Sequence, residues 1–382
     1  MTYYIKADKF FYPYHTLSGG YLEIKAGKFG KHMQEVPEDA EVKDYTGYWI
    51  APGLVDTHIH GFDGADVMDG ESELLDKISQ GLLRGGVTSW IATPLTGEHE
   101  RLREVCEVVG NYKPAVTGAK IQGLFFEGPY FTTQHKGAQN PAYMTDPNVQ
   151  EFENWNQAAH GMIRKIAVAP EREGSIEFIR ALTNRGITVA LGHSNATLAQ
   201  ATAAVEAGAT VFVHTFNGMS PFNHREPGMV GAALSLPNTY AELICDGHHV
   251  HPTAAKILIQ SKGAAHTVLI TDAMRAAGMP DGDYMLGEFP VRVEGGAAHL
   301  KEGNSLAGSI LMLKDAVKNV VDWGIATPEE ALMMATLTAA KSVNIDDRCG
   351  QIKENYNADF IVLKSNMELS EVYVNGEQVM SS

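Results

Sequence analysis

The chain has 382 residues, of which 44% are hydrophobic, and its formal net charge is −16. This length exceeds one average domain and accommodates a barrel of roughly 250 residues together with a smaller domain. The negative charge and the lack of a Lys/Arg-rich tract argue against nucleic acid as a partner, because such binding depends on neutralising phosphates. An anionic small molecule stays open, since it needs only a local basic pocket.

Cysteine usage and the first residues bear on the compartment. The cysteines Cys106, Cys245 and Cys349 are few, odd in number and without a C-x-x-C pair, which fits a reducing cytoplasm and disfavours a disulfide framework. The start, MTYYIKADKFFYPY, has no basic segment followed by a long apolar one, so we expect no signal peptide. No apolar run is long enough to span a bilayer, and we expect no membrane partner.

Both ends of the chain are rich in strand-forming residues. Residues 1–50 contain YLEIKAGKFGKHM and EVKDYTGYWI, and residues 346–382 contain ADFIVLKSN and VYVNGEQV with an Asn-Gly turn. We therefore expect one small β-sandwich domain built from both termini, with a large domain, residues 51–345, inserted between them.

The large domain alternates short apolar runs with amphipathic helical stretches. The helical stretches include SELLDKISQGLLRGG, SIEFIRALTNRG and PTAAKILIQSKG. Eight runs recur in this pattern: GLVDTHIH, GVTSWIAT, IQGLFFEG, IRKIAVAPE, GITVALGH, ATVFVHTFN, AELICDG and TVLITDA. This rhythm predicts an α/β fold, a (β/α)8 TIM-like barrel. We expect residues 218–240 to be only weakly helical, a hairpin over 284–301, and helices near 310–323 and 328–342.

Polar residues that can bind a metal follow five of the predicted strands. In a barrel the carboxyl ends of the strands converge on one face, where active sites lie. A single histidine there is more often an ordinary hydrogen-bonded residue, but a set at one edge points to a divalent metal such as zinc or iron. The set comprises His58, His60, Glu127, His193, His214 and Asp272.

Several motifs carry a resemblance to a known family. They are PGLVDTHIH, FEGPYF, KGAQNPA, LGHSNA, HTFNGMSPFNHREPG, DGHHV, ITDAM and LAGS, spread over residues 50–310. Together they resemble the amidohydrolase superfamily and, within it, the N-acetylglucosamine-6-phosphate deacetylase family. The resemblance implies hydrolysis of the acetamide of N-acetyl-D-glucosamine 6-phosphate to D-glucosamine 6-phosphate and acetate, in amino-sugar catabolism or cell-wall recycling.

The resemblance also implies roles for the metal-site residues. Glu127, His193 and His214 match the principal metal ligands, and Asp272 matches the catalytic acid/base. His58 and His60 match a pair that holds a second metal in some members, so one or two ions, zinc or iron, are expected. No lysine ends a strand here, so Glu127 takes the place of the carbamylated lysine that bridges the metals of many members.

For the substrate, the resemblance implies Arg225 and His249 as phosphate contacts, with Arg225 reaching the neighbouring site of a homodimer. Position 139 is Gln where some relatives have His, and glutamine can bond a hydroxyl but carries no charge. His248 is a further candidate, with an ordinary loop histidine as the alternative. The remaining substrate-binding candidates are Ala138, Gln139, Asn217, Gly218, Leu306, Ala307 and Gly308.

Two other interpretations stay open. A cyclic amidase or nucleobase deaminase would use the same scaffold, although dihydroorotase-like enzymes generally have the strand lysine. A deaminase would share His58, His60 and Asp272 but not the phosphate pair Arg225 and His249. A metal-free barrel serving as a scaffold is disfavoured by the retention of all five ligand candidates.

Overall fold

The computed structural model describes residues 2–303 and 305–381, and its first sheet joins the two ends of the chain. This sheet has eight strands in the order β21-β20-β19-β5-β1-β3-β4, with β2 paired to β1. The apolar face includes Ile5, Phe10, Leu22, Ile50 and Phe360, all buried. Its strands are β1 (Thr2–Tyr12), β2 (His15–Ser18), β3 (Tyr21–Lys25), β4 (Lys28–Met33), β5 (Val42–Pro52), β19 (Phe360–Lys364), β20 (Leu369–Val374) and β21 (Glu377–Ser381).

The second large sheet is the predicted barrel of eight parallel strands. Their order is β15-β14-β13-β12-β11-β10-β9-β6, and a parallel bridge between Ile59 and Ala273 joins its two ends. All eight predicted runs supply a strand, and five of the strands are buried along their whole length. The strands are β6 (Leu54–Ile59), β9 (Val87–Ala92), β10 (Lys120–Glu127), β11 (Ile163–Val168), β12 (Thr188–Leu191), β13 (Val211–Phe212), β14 (Tyr240–Ile244) and β15 (Thr267–Ile270).

Ten α-helices occur among the described residues, and most cover the outside of the barrel between successive strands. Their buried faces belong to the same apolar core as the barrel strands. They are α1 (Ser72–Leu82), α2 (His99–Asn111), α3 (Val149–Ala158), α4 (Ser175–Thr183), α5 (Leu198–Glu206), α6 (Gly228–Ser235), α7 (Pro252–Lys262), α8 (Leu313–Asp322), α9 (Pro328–Met334) and α10 (Leu337–Ser342). No helix within residues 2–303 and 305–381 has the length and apolar character to cross a membrane.

The link 218–240 is helical over eight residues only, those of α6, which agrees with the weak helical character expected of it. The second half of the last helical segment differs from the sequence-based expectation. The helix expected over 328–342 is broken at Thr336, where Gly350 packs so closely that a Cβ on it would lie 2.8 Å from the Thr336 carbonyl oxygen. No Gly or Pro marks the break, and next to it the Ala335 carbonyl oxygen accepts from the Val55 backbone N–H at 2.9 Å.

Two small strand groups lie near the carboxyl ends of the barrel strands. One is a pair, β7 (Gly61–Phe62) and β8 (Ala65–Asp66), directly after β6. The other is a three-stranded antiparallel sheet, β16 (Gly282–Leu286), β17 (Phe289–Glu294) and β18 (Ala297–Leu300), which contains the predicted hairpin. Its buried face packs with Leu95 and Met274, so it covers the rim of the barrel at this end.

Candidate active site

The six predicted metal-site residues converge at the carboxyl end of the barrel. His58 and Glu127 lie at the ends of β6 and β10, and His60 follows β6 directly. His193, His214 and Asp272 each stand two residues beyond the last residue of β12, β13 and β15. All six are buried, and they form two sets whose ligand atoms lie within 4.8 Å of one another. We call these the Glu127 group (Glu127, His193, His214) and the His58 group (His58, His60, Asp272).

In the Glu127 group, one carboxylate oxygen and two imidazole nitrogens lie close together. His193 Nδ1 lies 2.8 Å from the His135 carbonyl oxygen, and His214 Nδ1 lies 3.1 Å from that of Asn217. A carbonyl only accepts, so each Nδ1 carries a proton, and in the neutral tautomer Nε2 is the nitrogen with a free lone pair. The two Nε2 atoms are 3.0 Å apart, and they lie 3.1 and 3.0 Å from Glu127 Oε1. A cation is the species that satisfies such an arrangement.

The His58 group lies directly beside it. Asp272 Oδ1 is 3.0 Å from His60 Nε2 and 3.6 Å from His58 Nε2. His58 Nε2 is fully buried without a hydrogen-bond partner among the described residues. Glu127 reaches both histidines, with Oε1 3.4 Å from His58 Nε2 and Oε2 3.3 Å from His60 Nε2. Glu127 therefore stands between the two groups, and the donor set of imidazoles and carboxylates suits a divalent transition metal.

Backbone conformation contributes to this geometry. His193, His214 and Asp272 have positive φ angles of 45°, 30° and 51°, which L-residues rarely adopt. Gly128, after Glu127, has φ 104°, and a Cβ there would lie 2.0 Å from Thr96 Oγ1. The glycine of the EGP motif is thus required by close packing beneath the site.

Electrostatics inside the site are dominated by burial and by opposite charges in contact. Burial opposes ionisation of Glu127 and Asp272, yet the neighbouring histidines hold the pKa of both carboxyls below its usual range. Burial likewise opposes protonation of His58, but the charges of Asp272, Glu127 and Glu242 raise its pKa to about 9. Without a metal ion, protonation of His58 therefore supplies part of the positive charge that balances the buried carboxylates.

A cavity of about 280 Å³ opens over the two groups. Seven of the predicted substrate-binding residues line it: Ala138, Gln139, Asn217, Gly218, His249, Leu306 and Gly308. Ala307 lies behind the wall, buried in the apolar cluster with Met274 and Leu286. Ser305, Leu95 and Leu286 also line the cavity, and no lysine or arginine stands among its described lining residues.

Two of the predicted substrate contacts that line the cavity are held by other side chains. Gln139 is buried, and its Nε2 donates to Glu127 Oε2 at 2.6 Å while its Oε1 accepts from the Thr96 backbone N–H at 2.9 Å. His249 Nδ1 lies 2.6 Å from Asp246 Oδ2. The side chain of Gln139 is thus bonded to the metal-ligand candidate Glu127. Asp246 fixes the ring of His249 at the cavity wall.

Two of the predicted contacts lie outside the cavity of their own chain. Arg225 is in an exposed loop, residues 221–226, next to Phe222, whose exposed fraction is 60%. His248 is exposed, with its backbone N–H bonded to Asp246 Oδ1. Neither side chain reaches the two metal-binding groups within one chain.

Sequence reasoning missed two charged residues inside the barrel. Glu242, in the middle of β14, bonds His58, and Lys165 on β11 bonds Glu242. Both are fully buried. The sequence held a signal, since Glu242 is the one charge in the run AELIC and Lys165 stands within the strand IRKIAV, beside Arg164. Lys165 is a lysine on a barrel strand, but its Nζ is engaged by Glu242 and by the Thr57 carbonyl oxygen.

Comparison with known proteins agrees with this geometry. The amidohydrolase family model matches residues 49–379. An N-acetylglucosamine-6-phosphate deacetylase of Vibrio furnissii is 40% identical over 87% of this chain and 83% of its own length. An N-acetylgalactosamine-6-phosphate deacetylase of Escherichia coli O157:H7 is 38% identical over 99% of both chains.

A solved structure matches the whole chain as well. It is an N-acetyl-D-glucosamine-6-phosphate deacetylase from Mycobacterium smegmatis, an aspartate-to-alanine mutant in complex with N-acetyl-D-glucosamine 6-phosphate. The two chains cover each other completely with a TM-score of 0.93 at 29% identity. The chain belongs to the amidohydrolase family, in the group of the N-acetylglucosamine-6-phosphate deacetylases.

Proposed function

We propose that the chain hydrolyses the acetamide of N-acetyl-D-glucosamine 6-phosphate to D-glucosamine 6-phosphate and acetate. The observation that carries this proposal is the cavity whose wall holds Asp272, His60 and the Glu127 group, with His58 buried behind it. A divalent ion, when bound, lowers the pKa of a bound water towards 7 and polarises an amide carbonyl. The Glu127 group would hold one ion and the His58 group a second, with zinc or iron suited to both.

The chain's own residues then handle the protons and the substrate. Asp272 accepts the proton of the attacking water and passes it to the leaving nitrogen, which makes the amine a competent leaving group. Leu95 and Leu286 line the cavity with apolar surface. Asn217 and the 306–308 loop face the sugar, and Gln139 keeps Glu127 in place.

The phosphate is bound by residues from two chains. His249 lines the cavity, but an anion with a phosphate's charge calls for a further cation, and no described lining residue is Lys or Arg. Arg225 is exposed on a loop beside an exposed Phe222, a combination that suits a subunit contact. We therefore propose a homodimer in which Arg225 enters the neighbouring site.

The buried free cysteines fit a reducing compartment, and we propose a cytoplasmic location.

A second candidate substrate is the C4 epimer, N-acetyl-D-galactosamine 6-phosphate. It is favoured by the Escherichia coli relative of that specificity, which aligns with nearly the whole chain. Acetate release should be measured with both phosphorylated epimers and with both unphosphorylated sugars. The proposal predicts release from a phosphorylated sugar and little from its unphosphorylated form. Ammonia release from nucleobases without any acetate release would favour a deaminase instead.

A further inference from the structure

The ligand histidines differ in what holds the second ring nitrogen. In three of them Nδ1 faces a backbone carbonyl oxygen, which fixes the ring but adds no charge. His58 alone has a carboxylate at this position, Glu242 Oε2, at 2.9 Å. The three carbonyl contacts are His60 to Thr93 at 2.9 Å, His193 to His135 at 2.8 Å and His214 to Asn217 at 3.1 Å.

Glu242 is itself held in place by Lys165. Its Oε1 accepts a hydrogen bond from Lys165 Nζ, and Lys165 also donates to the Thr57 carbonyl oxygen at 3.0 Å. Both side chains have no exposed surface, and Lys165 Nζ lies 3.6 Å from the ring centre of Phe125. Neither residue lines the substrate cavity. Replacing a buried ion pair by apolar side chains is often neutral or stabilising, so packing alone does not account for the pair here.

We infer that Glu242 is a positioning residue for His58 and that Lys165 holds Glu242 for this purpose. A carboxylate fixes the proton of His58 on Nδ1 and strengthens the ring as a ligand, so that the unpaired Nε2 faces Glu127 and Asp272. The Lys165–Glu242–His58 chain then makes binding of the second ion depend on residues with no direct contact to it. This inference rests on the proposed two-ion site.

The test is metal retention in a Glu242→Gln variant, which keeps the shape of the side chain and removes its charge. Ions per chain are counted by elemental analysis after dialysis against graded concentrations of a chelator. We expect the variant to lose one of two ions at a chelator concentration ~10- to 100-fold lower than the wild type does, the range found when such partners are removed. The matched control is Asp76→Asn, a buried carboxylate on α1 that accepts from Tyr112 Oη at 2.6 Å; it should retain metal like the wild type.

A double-mutant cycle separates positioning from general stability. His58→Ala should lose the same ion, and Glu242→Gln added to it should change metal retention no further, because the two residues act through one ligand. Glu242→Gln/Lys165→Met avoids an unpaired buried lysine and should show the same weakened ion while unfolding cooperatively. Wild-type retention in this folded double variant would overturn the inference, and so would equal weakening of both ions in Glu242→Gln.

The number of ions that the wild-type chain binds is a further test of the inference. If that chain loads only one ion under excess metal and His58→Ala retains that ion like the wild type, the inference is wrong, because no ion is then bound at His58. Acetate release in that case would still support the proposed deacetylase, so the two failures are distinguishable.

Discussion

The Nε2 atoms of His193 and His214 face each other at 3.0 Å, and in the neutral tautomer with the proton on Nδ1 both nitrogens carry a lone pair. Two lone pairs at this distance, with Glu127 Oε1 beside them, repel unless a cation lies between them. We therefore predict that removing metal with a chelator lowers the melting temperature. Saturation at 1,000 times Kd would contribute about 4 kcal/mol. Calorimetry with and without added zinc measures this, and identical transitions would argue against a metal at the Glu127 group.

Replacing Asp272 tests its role in proton transfer. Asp272→Asn keeps the size of the side chain but cannot accept the water's proton, so we predict a loss of kcat of roughly 10²- to 10⁴-fold. The ion of the Glu127 group should remain, since Asp272 is outside that group. Asp322→Asn, on the exposed end of α8, is the control for a lost carboxylate. Near-normal turnover of Asp272→Asn would remove Asp272 from the mechanism.

Substitution of Gln139 distinguishes two roles of its side chain, holding Glu127 and binding the sugar. Its amide bonds Glu127 and the Thr96 backbone, so Gln139→Leu should leave Glu127 without a donor and weaken metal binding by about 10-fold or more. A residue that served only the sugar would instead raise KM and leave metal affinity unchanged. Competition with a chelator and steady-state kinetics on the same variant decide between the two roles.

Arg225 is predicted to act across a subunit interface. Arg225→Ala should raise KM for the phosphorylated sugar, and Asp272→Asn should be nearly inactive. In a mixed dimer, the subunit with intact Asp272 receives Arg225 from its partner and so has one complete site. Co-refolding equal amounts of the two variants should therefore restore about a quarter of the wild-type activity at low substrate. Activity no higher than the mean of the two parents would show that Arg225 does not act across subunits.

Lys262 provides a pH-dependent stability test. Burial lowers its pKa from 10.5 to about 8, and its Nζ donates to the Leu236 carbonyl oxygen and Thr239 Oγ1. Between these values the unfolded chain holds a proton that the folded chain has lost, so stability rises with pH from 8 to 10.5. Lys262→Met should remove this contribution. Urea unfolding of both proteins at several pH values checks it, and parallel curves would contradict the shift.

The site ligands were predictable because a parallel barrel brings its strand ends to one face. His58, Glu127 and Asp272 are 214 residues apart at the extremes, yet the ends of their strands predicted one common location once the eight runs were recognised. Glu242 and Lys165 were not predicted because neither residue shows its role until it is paired with the other. The two residues are 77 positions apart in the sequence. The break at Thr336 was also missed, because residues 328–342 contain no Gly, and no Pro after Pro328, that would mark it.

The most direct test of the proposed function is metal-dependent acetate release from N-acetyl-D-glucosamine 6-phosphate, measured beside the unphosphorylated sugar. The chelated protein should release none, and adding zinc or ferrous iron should restore release from the phosphorylated sugar only. Equal release from both sugars would remove the phosphate roles of Arg225 and His249. No release from any phosphorylated N-acetyl hexosamine by the metal-loaded protein would contradict the deacetylase itself.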